Sequence, residues 1–103
     1  MFEVQILIPT VDNDGDVFPQ SAHVLFEEIL VARFGGFTRY PGTAVGGWAN
    51  AEGRVFRDST IVYGVAVTSI GAGRLVIEVV AIAKAHYRQE AIFIRSLGIV
   101  EIL

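Results

Sequence analysis

The chain has 103 residues, 52% hydrophobic and 18% charged, with a formal net charge of −3 and no cysteine. That length fits a single domain over 1–103, and the apolar balance excludes a disordered chain. The lack of cysteine excludes a disulfide scaffold or a thiolate metal site, and eight basic against eleven acidic residues leave no phosphate-neutralising surface, so nucleic acid is not an expected partner.

Residues 2–8 read as a strand. Phe2, Val4, Ile6 and Ile8 fall on one face and Glu3, Gln5 and Leu7 on the other, the period of two that a strand requires, and Pro9 ends it. Asp12-Asn13-Asp14-Gly15-Asp16 is a turn by chemistry, because Asx side chains bond nearby backbone and glycine allows positive φ. The spacing then predicts a helix over 19–34. Pro19 suits its first turn, and Ala22, Leu25, Phe26, Ile29, Leu30 and Phe34 form an apolar stripe. Gln20, His23 and Glu27 fall on the opposite, solvent-facing side, and Gly35-Gly36 supplies a left-handed cap.

Residues 37–40 form a second strand, stopped by Pro41-Gly42. Residues 43–53 read as a hairpin connection with Trp48 on or near its first arm, and 54–68 as a long third strand. Residues 74–88 are rich in β-branched side chains, yet Arg74, Glu78, Ala81, Ala85 and Arg88 recur at intervals of four and three. A pattern over four turns outweighs a propensity penalty of a few tenths of a kcal/mol per β-branched residue, so this segment is a helix. Residues 90–95 give the last strand and 97–103 a short extended apolar tail. The order is β-α-β-β-α-β. The expected fold is α+β, ferredoxin-like: a four-stranded antiparallel sheet with two helices on one face.

Several separated motifs have the order of a known family. They are Pro9, Asp12-Asn13-Asp14-Gly15, Arg33-Phe34-Gly35-Gly36, Thr38 with Tyr40, Gly47-Trp48, Arg57-Asp58, Arg88-Gln89-Glu90 and Ile92-Phe93-Ile94-Arg95. On these the chain resembles a group of short bacterial proteins of ferredoxin-like fold for which no activity is established. The resemblance covers most of the chain and implies a helix over 74–88. It departs at 70–77, which is more apolar than in those relatives.

The candidate chemistry is sparse. Asp12, Asp14 and Asp16 have the first spacings of a calcium loop, but Val17 stands where the loop needs glycine and His23 where it needs a bidentate glutamate. A hydrogen-bonded turn is the first reading, a loose metal site or a ligand loop the others, and no metal is expected. Gly71-x-Gly73 lacks the third glycine of a dinucleotide loop, and no cofactor is implied. His23, on the polar stripe, reads as solvated. His86, on the apolar side of the second helix, is either a semi-buried hydrogen-bonded imidazole or an acid/base group, and is the sole catalytic candidate.

The first and last strands are both expected to touch the third-strand region, which makes Arg95 a mid-sheet arginine that calls for a carboxylate, with Glu3, Asp58 or Glu90 available; otherwise it holds an anion. Tyr40 and Trp48 suit hairpin packing, an oligomer interface or a ligand wall. Asn50 joins Tyr40, Trp48 and Arg95 as a ligand-binding candidate.

Both alternating sets of the third strand are apolar, and so are those of the last, whereas a sheet with one wet face alternates cleanly. Only one face is coverable by two helices. The surplus therefore predicts a homodimer or higher oligomer through the open face, with the tail able to add a strand to a neighbour. No basic n-region or run of ~20 apolar residues marks a signal peptide or membrane span, so a cytoplasmic protein without membrane association is expected. The function expected is a homo-oligomeric small-ligand-binding or interaction module, and a regulatory module of the small-ligand-sensing kind is a separate reading by analogy. The alternative is a cofactor-independent enzyme of the dimeric α/β-barrel type, monooxygenase- or isomerase-like. There His86, Trp48, Tyr40, Asn50 and Arg95 would form the site, with His86 as acid/base, Trp48 and Tyr40 as walls and Arg95 as anion holder, on fold analogy alone.

Overall fold

The chain, described by a computed structural model over residues 1–68 and 72–99, runs β1 (Phe2–Pro9), α1 (Gln20–Phe34), β2 (Thr38–Arg39), β3 (Ala44–Ala49), β4 (Val55–Val67), α2 (Ala72–Tyr87) and β5 (Phe93–Ile99). All strand pairs are antiparallel and the sheet order is β2-β4-β1-β5, with β3 also on β4. This is the α+β ferredoxin-like arrangement, with its second strand delivered in two pieces. β2 lies against Tyr63 and Gly64 and β3 against 55–60 of the same strand. The break is Pro41-Gly42, where proline lacks the N–H a ladder needs and Gly42 takes φ 72°. Only Thr38 and Arg39 pair as β2, so the expected strand over 37–40 is shorter than its composition suggests.

β4 is 13 residues long. It pairs with β1 over 60–67 and with β3 over 55–60, so β3 and the first half of β4 project beyond β1 as a hairpin. The hairpin turn is closed by Asn50, whose Oδ1 accepts the backbone N–H groups of Glu52 (3.1 Å) and Arg54 (3.0 Å). β5 lies beside β1 and does not reach β4, a correction to the expectation that the last strand touches the third-strand region. Residues 97–99 of the expected tail continue β5, with Ile99 opposite Phe2. The rest of the tail, 100–103, lies outside the described residues, as do Ser69, Ile70 and Gly71 ahead of α2.

The core lies between one sheet face and both helices. Val4, Ile6 and Ile8 of β1 pair across to Val65, Tyr63 and Ile61 of β4, all buried. α2 adds Val76, Val79, Ala83 and Tyr87, spaced at three and four as the 74–88 periodicity requires. α1 ends at Gly35, φ 82°, whose N–H bonds Val31 O. It adds Phe26, Leu30 and His23, so its buried stripe is rotated from the expected one: Leu25 is 54% exposed and His23 only 4%. Phe26 meets the rings of Tyr63 and Tyr87 edge-on at 5.6 and 5.5 Å, contacts worth about 0.5–1.5 kcal/mol each beyond area burial. No helix among the described residues is long and apolar enough to cross a membrane.

Candidate functional site

Strand parity assigns the second face of the sheet. Phe56, Asp58, Thr60, Val62, Gly64 and Ala66 alternate with the buried set of β4 and point away from the helices. Glu3, Gln5 and Leu7 of β1 lie beside them, Trp48 of β3 stands opposite Phe56, and β5 adds Phe93 opposite Leu7 and Arg95 opposite Gln5. The open face is thus mixed: β4 is apolar on both sides over 61–67, as read from its sequence, but its first half adds Asp58 and Thr60 and β1 contributes Glu3 and Gln5.

At the β2 end, Tyr40 donates its hydroxyl to Glu3 Oε1 at 2.7 Å. That bond, with partial burial, raises the Tyr40 phenol above its ordinary range. The pair crosses directly over Gly64, where a Cβ would run into the Glu3 carboxylate and lie 3.1 Å from the Tyr40 ring. Glycine is needed here for close approach rather than for backbone freedom. At the hairpin end, Trp48 stacks on Phe56 (centroids 4.6 Å apart, 18° between planes) and donates Nε1–H to Asp58 Oδ2 at 2.9 Å. The Arg54 guanidinium lies 4.9 Å from the centre of the Phe56 ring. Trp48 remains 49% exposed and Phe93 66%.

Grooves converge on this end. One of about 330 Å³ runs from Trp48 and Asp58 past Thr60 and Leu7 to Phe93 and Arg95. A second, of about 600 Å³, is bounded by Trp48, Asp58 and Phe93 together with Asn13, Gln89, Glu90 and Ala91. A third, of about 210 Å³, extends toward Asp12 and Arg57. Asp58 and Phe93 border all three. The larger two fall within the roughly 300–1,000 Å³ of small-molecule sites.

The structure brings Trp48 and Arg95 to one groove and separates the other candidates. Tyr40 is on the same face but tied to Glu3 at the far end. Asn50 spends its carbonyl on the hairpin turn. His86 is on the other side of the sheet, between the helices, with Nε2 2.7 Å from Ala22 O. A carbonyl only accepts, so that nitrogen carries the proton and donates. Arg95 does not have the carboxylate expected for it: Glu3 holds Tyr40, Asp58 holds Trp48, and no ion pair of Arg95 occurs among the described residues. Its strand is at the sheet edge, where the guanidinium stays in water and needs no partner. Phe93 escaped sequence reasoning as a site residue, although its parity with Arg95 already placed it on the open face.

His23 is corrected from solvated to buried. Its Nδ1 lies 2.8 Å from the Tyr87 hydroxyl. Burial first, then the Arg39 charge, pushes its pKa below 6.5, so the ring is held neutral and shares one hydrogen bond with the Tyr87 hydroxyl. Burial likewise pushes the Tyr87 phenol well above its ordinary range. Asp12 holds its own turn: Oδ1 accepts the N–H groups of Asp14 and Asp16, both at 2.9 Å. Among the described residues, no group of three or more His, Asp or Glu side chains is arranged to hold a metal ion.

No family model and no curated protein matches the sequence. Solved structures do resemble the fold. A phage SAM lyase in complex with S-methyl-5'-thioadenosine is similar with a TM-score of 0.64 at 11% identity, over 93% of this chain and 79% of that one. A divalent cation tolerance protein (Cut A1) from Thermus thermophilus is similar with a TM-score of 0.63 at 19% identity, over 99% of this chain and 86% of that one. At such identities the likeness establishes the ferredoxin-like α+β fold.

Proposed function

We propose that this protein is a homo-oligomeric small-ligand-binding module. Its open sheet face carries self-association, and the groove between the β3–β4 hairpin and β5 takes the ligand. The observation that carries the reading is the hairpin end of that face: two large aromatic side chains, Trp48 and Phe93, stand 49% and 66% exposed where the grooves meet. Exposed aromatics around a concavity with a few polar groups are the usual signature of a binding surface. The phage SAM lyase, alike in fold, is seen with a small molecule bound, which supports the capacity of such a scaffold to hold one. The enzyme reading has less support, because His86 sits across the sheet from Trp48 and Arg95 and its Nε2–H is committed to Ala22.

The test is a thermal-shift screen against small metabolites, with each hit repeated in Phe93→Ser and Arg95→Ala. The reading expects hits whose shift is lost in at least one of these groove variants. Hits that persist in both place the ligand elsewhere and contradict it.

A further inference from the structure

We propose that the 600 Å³ space between Trp48 and Phe93 takes an organic cation, an ammonium-type group held against two aromatic faces and two carboxylates. The inference rests on the ligand-site reading above and adds the charge of the ligand. The lining settles the sign. Two of its side chains, Asp58 and Glu90, are carboxylates, and none is Lys, Arg or His; Arg57 and Arg95 border only the neighbouring grooves. Among the described residues neither carboxylate has an ion-pair partner.

The lining side chains that bear N–H groups point the same way. Trp48 Nε1 donates to Asp58, Asn13 Nδ2 to Arg88 O at 3.2 Å, and Gln89 Nε2 to Tyr87 O at 3.0 Å. Trp48 thereby spends its one N–H, while Asn13 and Gln89 each spend one of two and keep a second, neutral donor. The charges the lining offers an incoming group are both negative, beside aromatic π-face. An anion would meet two like charges there. A cation would meet opposite charge and the negative quadrupole of the rings, which is how quaternary ammonium groups are recognised.

Trp48 is the chain's one tryptophan, so its emission reports on the two grooves it borders, and Glu90, which lines only the 600 Å³ space, tells them apart. The experiment titrates the intact protein with benzyltrimethylammonium, benzyl alcohol and phenylacetate, which share a ring and differ in charge. Saturable quenching by the cation is expected, with binding of the alcohol weaker by about tenfold or more and none of phenylacetate. Glu90→Gln should weaken the cation by about tenfold; unlike Asp58→Asn, it leaves the Trp48 hydrogen bond intact. Glu28→Gln, an exposed change on α1, should leave binding unchanged. Phenylacetate or benzyl alcohol binding as well as the cation overturns the cation assignment while leaving the groove a ligand site. Cation binding indifferent to Glu90→Gln and Asp58→Asn also overturns it. No saturable response to any of the three probes also overturns the cation assignment, while the small-ligand reading stands or falls on the metabolite screen.

Discussion

The two faces of the sheet handle the same side-chain chemistry differently. On the covered face, Tyr63 is fully buried and donates its hydroxyl to Glu27 Oε2 at 2.5 Å, while Glu27 also takes Arg39 Nη1 at 3.2 Å. Burial, reinforced by Glu27, pushes the Tyr63 phenol far above its ordinary range. On the open face, Tyr40 donates to Glu3 and Trp48 to Asp58, but the rings stay within reach of solvent. Both faces satisfy their polar hydrogens. The covered face does so because an unpaired buried polar group costs about 1–3 kcal/mol, and the result is a closed core. On the open face the bonds fix aromatic side chains in place without covering them, which is how a rigid recognition surface is built. Stability should therefore reside on one face and binding on the other.

Substitutions on the covered face should cost the most. Phe26→Ala removes a ring packed on Tyr63 and Tyr87 and should lower unfolding stability in urea by about 3–5 kcal/mol. Tyr87→Phe keeps the ring but strands the buried His23 Nδ1, for a loss of about 1–3 kcal/mol. On the open face, Gly64→Ala has to displace the Glu3 carboxylate, the far end of a flexible side chain, and ease the Tyr40 ring back, so it should cost less than the about 1–3 kcal/mol of overpacking a rigid core. A loss as large as that of Phe26→Ala would blur the distinction between the faces.

His23 sharpens the comparison through pH. Its folded pKa is below the 6.5 of an ordinary imidazole, so the unfolded chain takes up the proton first as pH falls. The stability associated with the neutral ring is intact above that value and is lost as pH drops below it. Wild type should lose more stability than His23→Gln between about pH 7.5 and 5.5; equal losses would mean the ring is not held neutral. Smallest of all, Phe93→Ser should leave the stability of an isolated protomer within about 0.5 kcal/mol.

Much of this contrast was legible in the residues. Period-two alternation fixes the inward set of β1, and the intervals of four and three through 74–88 make α2 a helix despite its β-branched residues. The local punctuation of Asp12, Pro41-Gly42 and Gly35 also acts as expected. What failed depended on partners distant in sequence. His23 looks like a solvent-side residue until Tyr87, 64 positions away, supplies a hydroxyl that makes its burial tolerable. Arg95 seemed to need a carboxylate because its strand looked internal, and the register places it at an edge. His86 lies on the apolar side of its helix as read, but only the docking of α1 reveals that its nitrogen meets Ala22 O. Trp48 was recognisable as a surface-capable aromatic; its partnership with Asp58 and Phe93 required the sheet to place the hairpin beside β5.

The central claim is that the open face is a working surface shared between copies of the chain. Size-exclusion chromatography with light scattering at micromolar concentration tests it most directly. A wild-type mass of at least twice the 11.2 kDa protomer, falling toward the protomer mass in Phe93→Ser without loss of fold, is the predicted result. A wild-type protein that elutes as a stable monomer would contradict it.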